Sequence, residues 1–337
     1  MHLPAARGPL SESLISDLAT GSSLSPRTLE CAARLTSAPG TVLTDEDLQL
    51  SLAVCYELHY RGFDEVDDAW EWDPELLRLR GTLERLHLAA LQELVGTVPA
   101  TDEPIDAQLT AAIAADDGPS LSKFMAREGN LEQWREYLTV RSVYHLKEAD
   151  PHTFAIPRLS GRTKAAMVEI QADEYGGGSA ARMHSELFGG LMRDLDLDSG
   201  YGALWDDAPA VAFSTVNTMS LFGLHRRWRG AALGHLATVE MTSSEPSRRY
   251  SSGLRRLGFD ESTTVFYDEH VEADAVHEQI ASVDMCGAFV AENPELAADV
   301  LFGARCSLAM DGLAAQHLLG AWDAGRSALR RESALAA

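Results

Sequence analysis

Apolar residues recur at helical spacing along most of the chain. Leu79, Leu83, Leu86, Ala90 and Leu94 form one stripe, and Val300, Cys306, Met310, Leu313, His317 and Leu318 fall close to another. A period of three to four residues puts such positions on one side of an α-helix, where they can be buried together. The alternation that marks half-buried strands is scarce, and Ile is rare beside Leu and Ala, which disfavours a large sheet. The pattern predicts an all-α protein.

Helix punctuation divides it. Asn130 is a candidate cap for a helix through LEQWREYLTVRSVYHLKEA, with Pro151 as its stop. Thr163 to about Tyr175 reads as the next helix, halted by Gly176-Gly177-Gly178. Ser179 opens another through His184 to about Leu195. Asp207 to Leu224 and Arg229 to Met241 follow. Ser244 with Pro246 begins a helix that Gly258 ends, and Asp260 or Ser262 starts a long one through Met285. Asn293-Pro294-Glu295 opens the last, a cap followed by proline at the first helical position. The stretch 97–120 (GTVPATDEPIDAQLTAAIAADDGPS) is the most linker-like, so the expected division is an N-terminal helical extension and linker over 1–120, a main helical domain over 121–325 and a tail over 326–337. No internal repeat is present.

Charge and cysteine usage narrow the function classes. The 337 residues carry 28 Lys and Arg against 51 Asp and Glu, a formal charge of −23. A surplus of that sign repels a phosphate backbone, so nucleic acid is not an expected partner. No apolar run is long enough to span a membrane, and the first residues lack the basic start and apolar stretch of a secretory signal, so a cytoplasmic protein is expected. Cys31, Cys55, Cys286 and Cys306 are far apart and form no C-x-x-C, which argues against a zinc site of that type and against a disulfide framework. The acidic run from Asp64 to Asp73 reads as a solvated face.

The strongest chemical signal is His270-Val-Glu-Ala-Asp274-Ala-Val-His277. At 100° per residue, Asp274 lies about 40° from His270, and His277 about 20° to the other side. Two imidazoles and a carboxylate therefore leave one helix face together. Such a stripe is poor core without partners, and imidazole with carboxylate suits iron or manganese better than thiolate-seeking ions. The competing reading is a surface helix, since Asp268, Glu269, Glu272 and Glu278 crowd the same segment. Glu174 and His184 flank the triglycine. On one straight helix they would stand about 15 Å apart, too far for one ion. A break at the glycines would let both turn inward. Glu148 and Glu240, each near a predicted helix end, are either solvated residues or members of the same set, because bundles build metal sites from carboxylates on several facing helices.

Three segments carry a resemblance: EIQADEYGGGSAARMHSELF (169–188), NTMSLFGLHRRWRGAALGHLATVEMTSSEPSRRY (217–250) and FYDEHVEADAVHEQ (266–279). In residue types and spacing they resemble the iron-containing redox enzymes, the haem-oxygenase-like diiron oxidases and oxygenases. The likeness covers roughly residues 130–290 and is nearest to the N-oxygenating type. It implies a haem-oxygenase-like helical bundle that binds no haem. By position it implies Glu148, Glu174, His184, Glu240, His270, Asp274 and His277 as ligands to two Fe(II) ions, with dioxygen as co-substrate and room for an external electron donor. Four carboxylates would offset the four positive charges, taking the formal charge from −23 to about −19. Each neutral imidazole needs an acceptor for its other nitrogen, and Asp268, Glu272 and Glu278 are near in sequence.

The resemblance further implies a small-molecule substrate of specialised metabolism, a peroxo-type diiron oxidant and a homodimer. N-oxygenation of an amine or guanidine leads, because the additional Glu174 resembles that type. Oxidative cleavage or desaturation of a fatty acid or amino acid is the alternative, and a non-catalytic helical interaction protein is the alternative outside enzymes. Seven arginines fall between 225 and 256, and Arg226, Arg227, Arg229, Arg248 and Arg249 are candidates to pair with a substrate carboxylate or with the protein's own acids. Tyr175, Trp228, Tyr250, Phe266 and Tyr267 are candidates for pocket or core. His225, His235 and His317 are expected to be structural.

Overall fold

Helix follows helix from Pro9 to Asp323, and no strand occurs among the described residues. The structure is a computed structural model that describes residues 1–35, 39–97, 99 and 101–330, apart from the side chains of 39 and 272–275. The N-terminal helices are α1 (Pro9–Thr20), α2 (Pro26–Ala33), α3 (Glu46–Glu57), α4 (Pro74–Val95) and α5 (Ile105–Ala114). After α6 (Leu121–Arg127) come α7 (Leu131–His145), α8 (Gly161–Glu174), α9 (His184–Asp194) and α10 (Ala210–Leu224). The last are α11 (Arg229–Thr242), α12 (Ser244–Arg256), α13 (Glu261–Gln279) and α14 (Ala297–Asp323).

Local chemistry sets several of these starts. The Asp45 and Asp73 carboxylates accept the first free backbone N–H groups of α3 and α4, and Pro74 takes the first helical position of α4. Asn130 and Gln133 cap α7 reciprocally, at 2.9 and 3.0 Å. Asp260 caps α13.

Helices α11 and α14 make the closest crossing. A methyl at Gly234 would run into the Val300 carbonyl oxygen, and one at Gly303 into the Ala231 carbonyl oxygen. Only glycine lets the two backbones touch there. Helix α12 packs on α13 and α6, α10 packs on α3 and α14, and α8 lies on the segment that follows α13. That segment, Ile280–Gly287, continues α13 as a π-helix, whose wider turn shifts the face that later residues present.

Four sequence expectations change. The helix from Asn130 stops at His145, and Ala149 takes φ 74° before a short turn Asp150–Thr153 that begins with Pro151 near its start. Pro151 falls in the first turn after the reversal, where its missing N–H leaves no helical bond unmade. Helix α9 begins at His184, not Ser179, because residues 180–182 form a separate 3-10 turn. The 97–120 stretch holds α5, whose Ile105 and Leu109 are buried against neighbouring helices. On the α4 stripe, Leu79, Leu83 and Ala90 are buried, whereas Leu94 is 43% exposed.

The N-terminal helices share one continuous apolar core with the rest. Buried polar bridges join the two parts. Lys147 Nζ lies 2.9 Å from Glu57 Oε2 with both side chains at most 3% exposed, and Tyr201 donates to Glu57 Oε1 at 2.7 Å. His87 lies between Gln49 Nε2 at 3.1 Å and Thr218 Oγ1 at 2.9 Å.

Candidate metal centre

Six of the seven expected ligands converge as two buried triads: Glu148, His184 and His270, and Glu174, Glu240 and His277. Within each, one donor atom per residue lies within 4.8 Å of the others. The seventh, Asp274, sits on α13 between the two histidines, and its side chain lies outside the described residues.

The triglycine joins the triads. Glu174 is the last residue of α8 and His184 the first of α9. Gly176, Gly177 and Gly178 all have positive φ, and the chain folds back so tightly that a methyl on Gly176 would stand 2.6 Å from the backbone at Arg182 and Met183. The result is a separation of 3.0 Å between His184 Nδ1 and Glu174 Oε2, where a straight helix would hold them about 15 Å apart.

His270 and His277 are each oriented through a second nitrogen. His270 Nδ1–H donates to the Phe266 carbonyl at 2.7 Å, which directs Nε2 toward Glu148 Oε1, 3.9 Å away. His277 lies between two carboxylates, with Nε2 3.0 Å from Asp173 Oδ2 and Nδ1 3.2 Å from Glu240 Oε2. A neutral imidazole has one N–H, and donating it to Asp173 turns the Nδ1 lone pair toward Glu240. Asp173 was not among the acceptors near in sequence. Of those, Asp268 receives Ser251, Thr264 and Arg255 and ties α12 to α13 instead.

Glu148 is held by a relay from the end of α7. Arg141 Nε donates to His145 Nε2 at 3.1 Å, so His145 is neutral with its proton on Nδ1, and Nδ1–H donates to Glu148 Oε1 at 2.8 Å. Burial alone would raise the Glu148 carboxyl, but His145 and His270 outweigh it and hold it well below the usual range. Burial lowers His145. Burial also works against a charge on His184, yet Glu174 beside it raises the imidazole above its ordinary value.

The residues fit a cation. Glu148 Oε2 is buried with no hydrogen-bond partner. His184 Nδ1, though 3.0 Å from Glu174, is out of line for a hydrogen bond to it. Buried donors and acceptors are normally paired, so lone pairs converging unpaired are the arrangement that a metal satisfies. A cavity of about 20 Å³ lies among Glu148, Glu174, Glu240 and His270, enough for something the size of a water molecule.

Tyr144, Glu148 and His270 also line a second cavity of about 290 Å³. Its walls include Tyr250, Phe266 and Tyr267 from the expected aromatic set. Trp228 packs on Phe302, and Tyr175 is hydrogen-bonded to Asp150 and Thr153. Among the arginines expected to meet a substrate, Arg249 lines this cavity. Arg141 on α7, outside that cluster, lines it too. His225 pairs with Glu84 and His317 with the Ala328 carbonyl, as structural residues do. His235 lies 3.2 Å from His152 and also reaches the cavity wall. A depression of about 430 Å³ near the C-terminal end, lined by His317, Arg326 and Arg330, contains none of the six converging donors.

No helix among the described residues is long and apolar enough to cross a membrane. The family model for iron-containing redox enzymes matches residues 135–312, a span that contains every converging donor. The chain is also similar to a nitrosourea synthase of Streptomyces achromogenes subsp. streptozoticus, 24% identical over 208 residues, covering 60% of this chain and 44% of that protein. It thus spans less than half the length of that relative.

Proposed function

The chain belongs to the iron-containing redox enzymes and is an iron oxidoreductase, and from that premise we propose a non-haem diiron oxygenase that uses dioxygen to oxygenate a nitrogen of a small amine or guanidine. The observation that carries the diiron reading is the pair of buried triads meeting at Glu174 and His184. Three His and three carboxylates, with Asp274 as a seventh ligand, suit two hard-to-borderline divalent ions and leave little net charge in the interior. Two bound Fe(II) ions would supply the electrons and open coordination positions that dioxygen chemistry requires. The protein's part is orientation. Arg141 and His145 keep Glu148 ionised and aimed, the Phe266 carbonyl fixes His270, and Asp173 fixes His277.

Nitrogen as the oxidised atom draws support from the similarity to a protein named for making a nitrosourea. The wall of the 290 Å³ cavity sets Arg141, Thr215, Thr238 and Ser307 among apolar residues such as Met219, Val239 and Leu308, so it offers polar anchors beside an apolar lining. Anaerobic reconstitution is the first test. Two Fe(II) per chain are expected for a diiron bundle; well under one would end the diiron reading. Mass spectrometry after turnover separates the chemistries. N-oxygenation adds the mass of one or two oxygen atoms to an intact substrate, and fragmentation would favour C–C cleavage instead.

A further inference from the structure

Two histidines outside the ligand set stand in the walls of the two cavities and touch each other. His152, in the turn Asp150–Thr153, lines the 20 Å³ cavity with Glu148, Glu174 and Glu240. His235, on α11, lines the 290 Å³ cavity. Both side chains are buried, and His152 Nε2 lies 3.2 Å from His235 Nδ1. Burial pushes His152 down to about 4 and holds His235 well below its ordinary value, so near pH 7 each ring is neutral and carries one N–H. A hydrogen bond between two such rings has two arrangements. In one, His235 Nδ1–H donates to His152 Nε2, and the His152 proton sits on Nδ1. In the other, His152 Nε2–H donates to His235 Nδ1, and the His235 proton sits on Nε2. The two differ by one proton displaced through the pair, with the bond intact in both. His152 Nδ1 is itself buried and has no hydrogen-bond partner in the protein. A pair that only filled core would leave that nitrogen unsatisfied, at about 1–3 kcal/mol.

We propose that His152 and His235 form a proton relay from the larger cavity to the metal centre. The inference rests on the oxygenase reading and supplies a reactant that this reading needs. A dioxygen that gives one atom to an amine and the other to water takes up two protons with two electrons, the electrons coming from Fe(II) or an external donor. The larger cavity reaches solvent at Asp311, whose side chain is 75% exposed, so protons are available on that side. One passage moves one proton. The His152 Nδ1–H bond breaks as its proton goes to dioxygen being reduced, the His235 Nδ1 proton crosses to His152 Nε2, and His235 Nε2 takes a proton from the larger cavity. Each ring ends neutral in its other tautomer, so the passage avoids an imidazolium in a site that disfavours charge.

The test has one readout without metal and one with it. In metal-free protein labelled with nitrogen-15 at histidine, magnetic resonance at pH 7 should show both rings neutral and a scalar coupling across the His235–His152 hydrogen bond. A charged ring or no coupling would overturn the relay. Fe(II)-loaded protein is then mixed rapidly with oxygenated buffer, and oxidation of the iron is followed. His235→Gln keeps an N–H donor for His152 Nε2, but an amide does not pass a proton on. It should hold iron as the wild type does and oxidise it about 10- to 100-fold more slowly, the lower part of what a placed proton donor contributes. His235→Ala should be slowed as much, and added imidazole should restore the rate, whereas 1-methylimidazole, with one nitrogen blocked, should not. A wild-type rate in His235→Gln, or equal rescue by the two imidazoles, would overturn the proposal. Those outcomes in iron-loaded protein defeat this inference alone, whereas wild-type protein that holds no iron defeats the oxygenase reading.

Discussion

Gly176→Ala probes whether the reversal at the triglycine is what assembles the metal centre. The added methyl would lie 2.6 Å from Arg182 C and Met183 N, about 0.8 Å short of ordinary contact. Those are backbone atoms that lead directly into His184, so they cannot rotate away as a side chain would. Relief moves residues 182–184 outward by most of the shortfall, while metal–ligand distances tolerate only about 0.2 Å. The substitution also places an L side chain at φ +69°, costing roughly 1–2 kcal/mol. Gly177 is the control, with φ +60° and nothing within 4 Å of a built methyl. Both variants should lose about 1–2 kcal/mol in urea unfolding of the metal-free protein, Gly176→Ala somewhat more. Fe(II) affinity, read by anaerobic competition with a chelator, should fall about 10- to 100-fold in Gly176→Ala and stay near wild type in Gly177→Ala. Equal affinities in the two variants would refute the argument, since strain alone would then account for everything.

Two further predictions concern the joints between the N-terminal helices and the bundle. Lys147→Met strands the buried Glu57 carboxylate with only neutral donors, and should cost about 3–5 kcal/mol in urea unfolding; Glu57→Gln in the same chain should recover at least half, and a single-variant cost below about 1 kcal/mol would show the pair to be unimportant. His87 is fully buried and its imidazole is pushed down to about 3 by burial. The unfolded chain takes up that proton near pH 6.5, so this stabilisation is present above about 6.5 and is lost as pH falls toward 3, amounting to about 2 kcal/mol between pH 7 and pH 5. His87→Gln in metal-free protein should flatten the acid slope by that amount; an unchanged slope would contradict it.

Helical period and caps made the architecture legible because apolar residues recur at helical spacing and several helices open on Asp or Asn. His270 and His277 can be paired in sequence because one helix carries both, and Glu174 with His184 because a break at the glycines lets both turn inward. The rest depends on contacts remote in sequence. Asp173 meets His277 across 104 positions, and nothing local distinguishes it from a solvated acid. Helix α5 was hidden by the Pro, Gly and Asp residues that flank it. Glu148 was placed at a helix end, but the helix stops at His145 and the reversal at Ala149 decides where Glu148 points. The arginine cluster at 225–256 drew notice by number, yet Arg255 and Arg256 bind Asp268 and backbone carbonyls, and Arg227 lies over Trp228.

Residues 141–148 tie the N-terminal helices to the candidate metal centre. Within eight positions the chain presents Arg141 to the cavity, His145 to Glu148, Lys147 to Glu57 of α3, and Glu148 to His184 and His270. Glu148 lies just past the end of α7, where the backbone is no longer fixed by helical hydrogen bonds. Its aim therefore depends on its neighbours: His145 holds the carboxylate from one side, and the Lys147–Glu57 pair pins the turn from the other. Removing the Glu57 carboxylate alone would leave Lys147 buried and unpaired one residue from Glu148, at a cost of several kcal/mol. The N-terminal helices in this sense support the candidate metal centre, although they contribute none of its six converging donors.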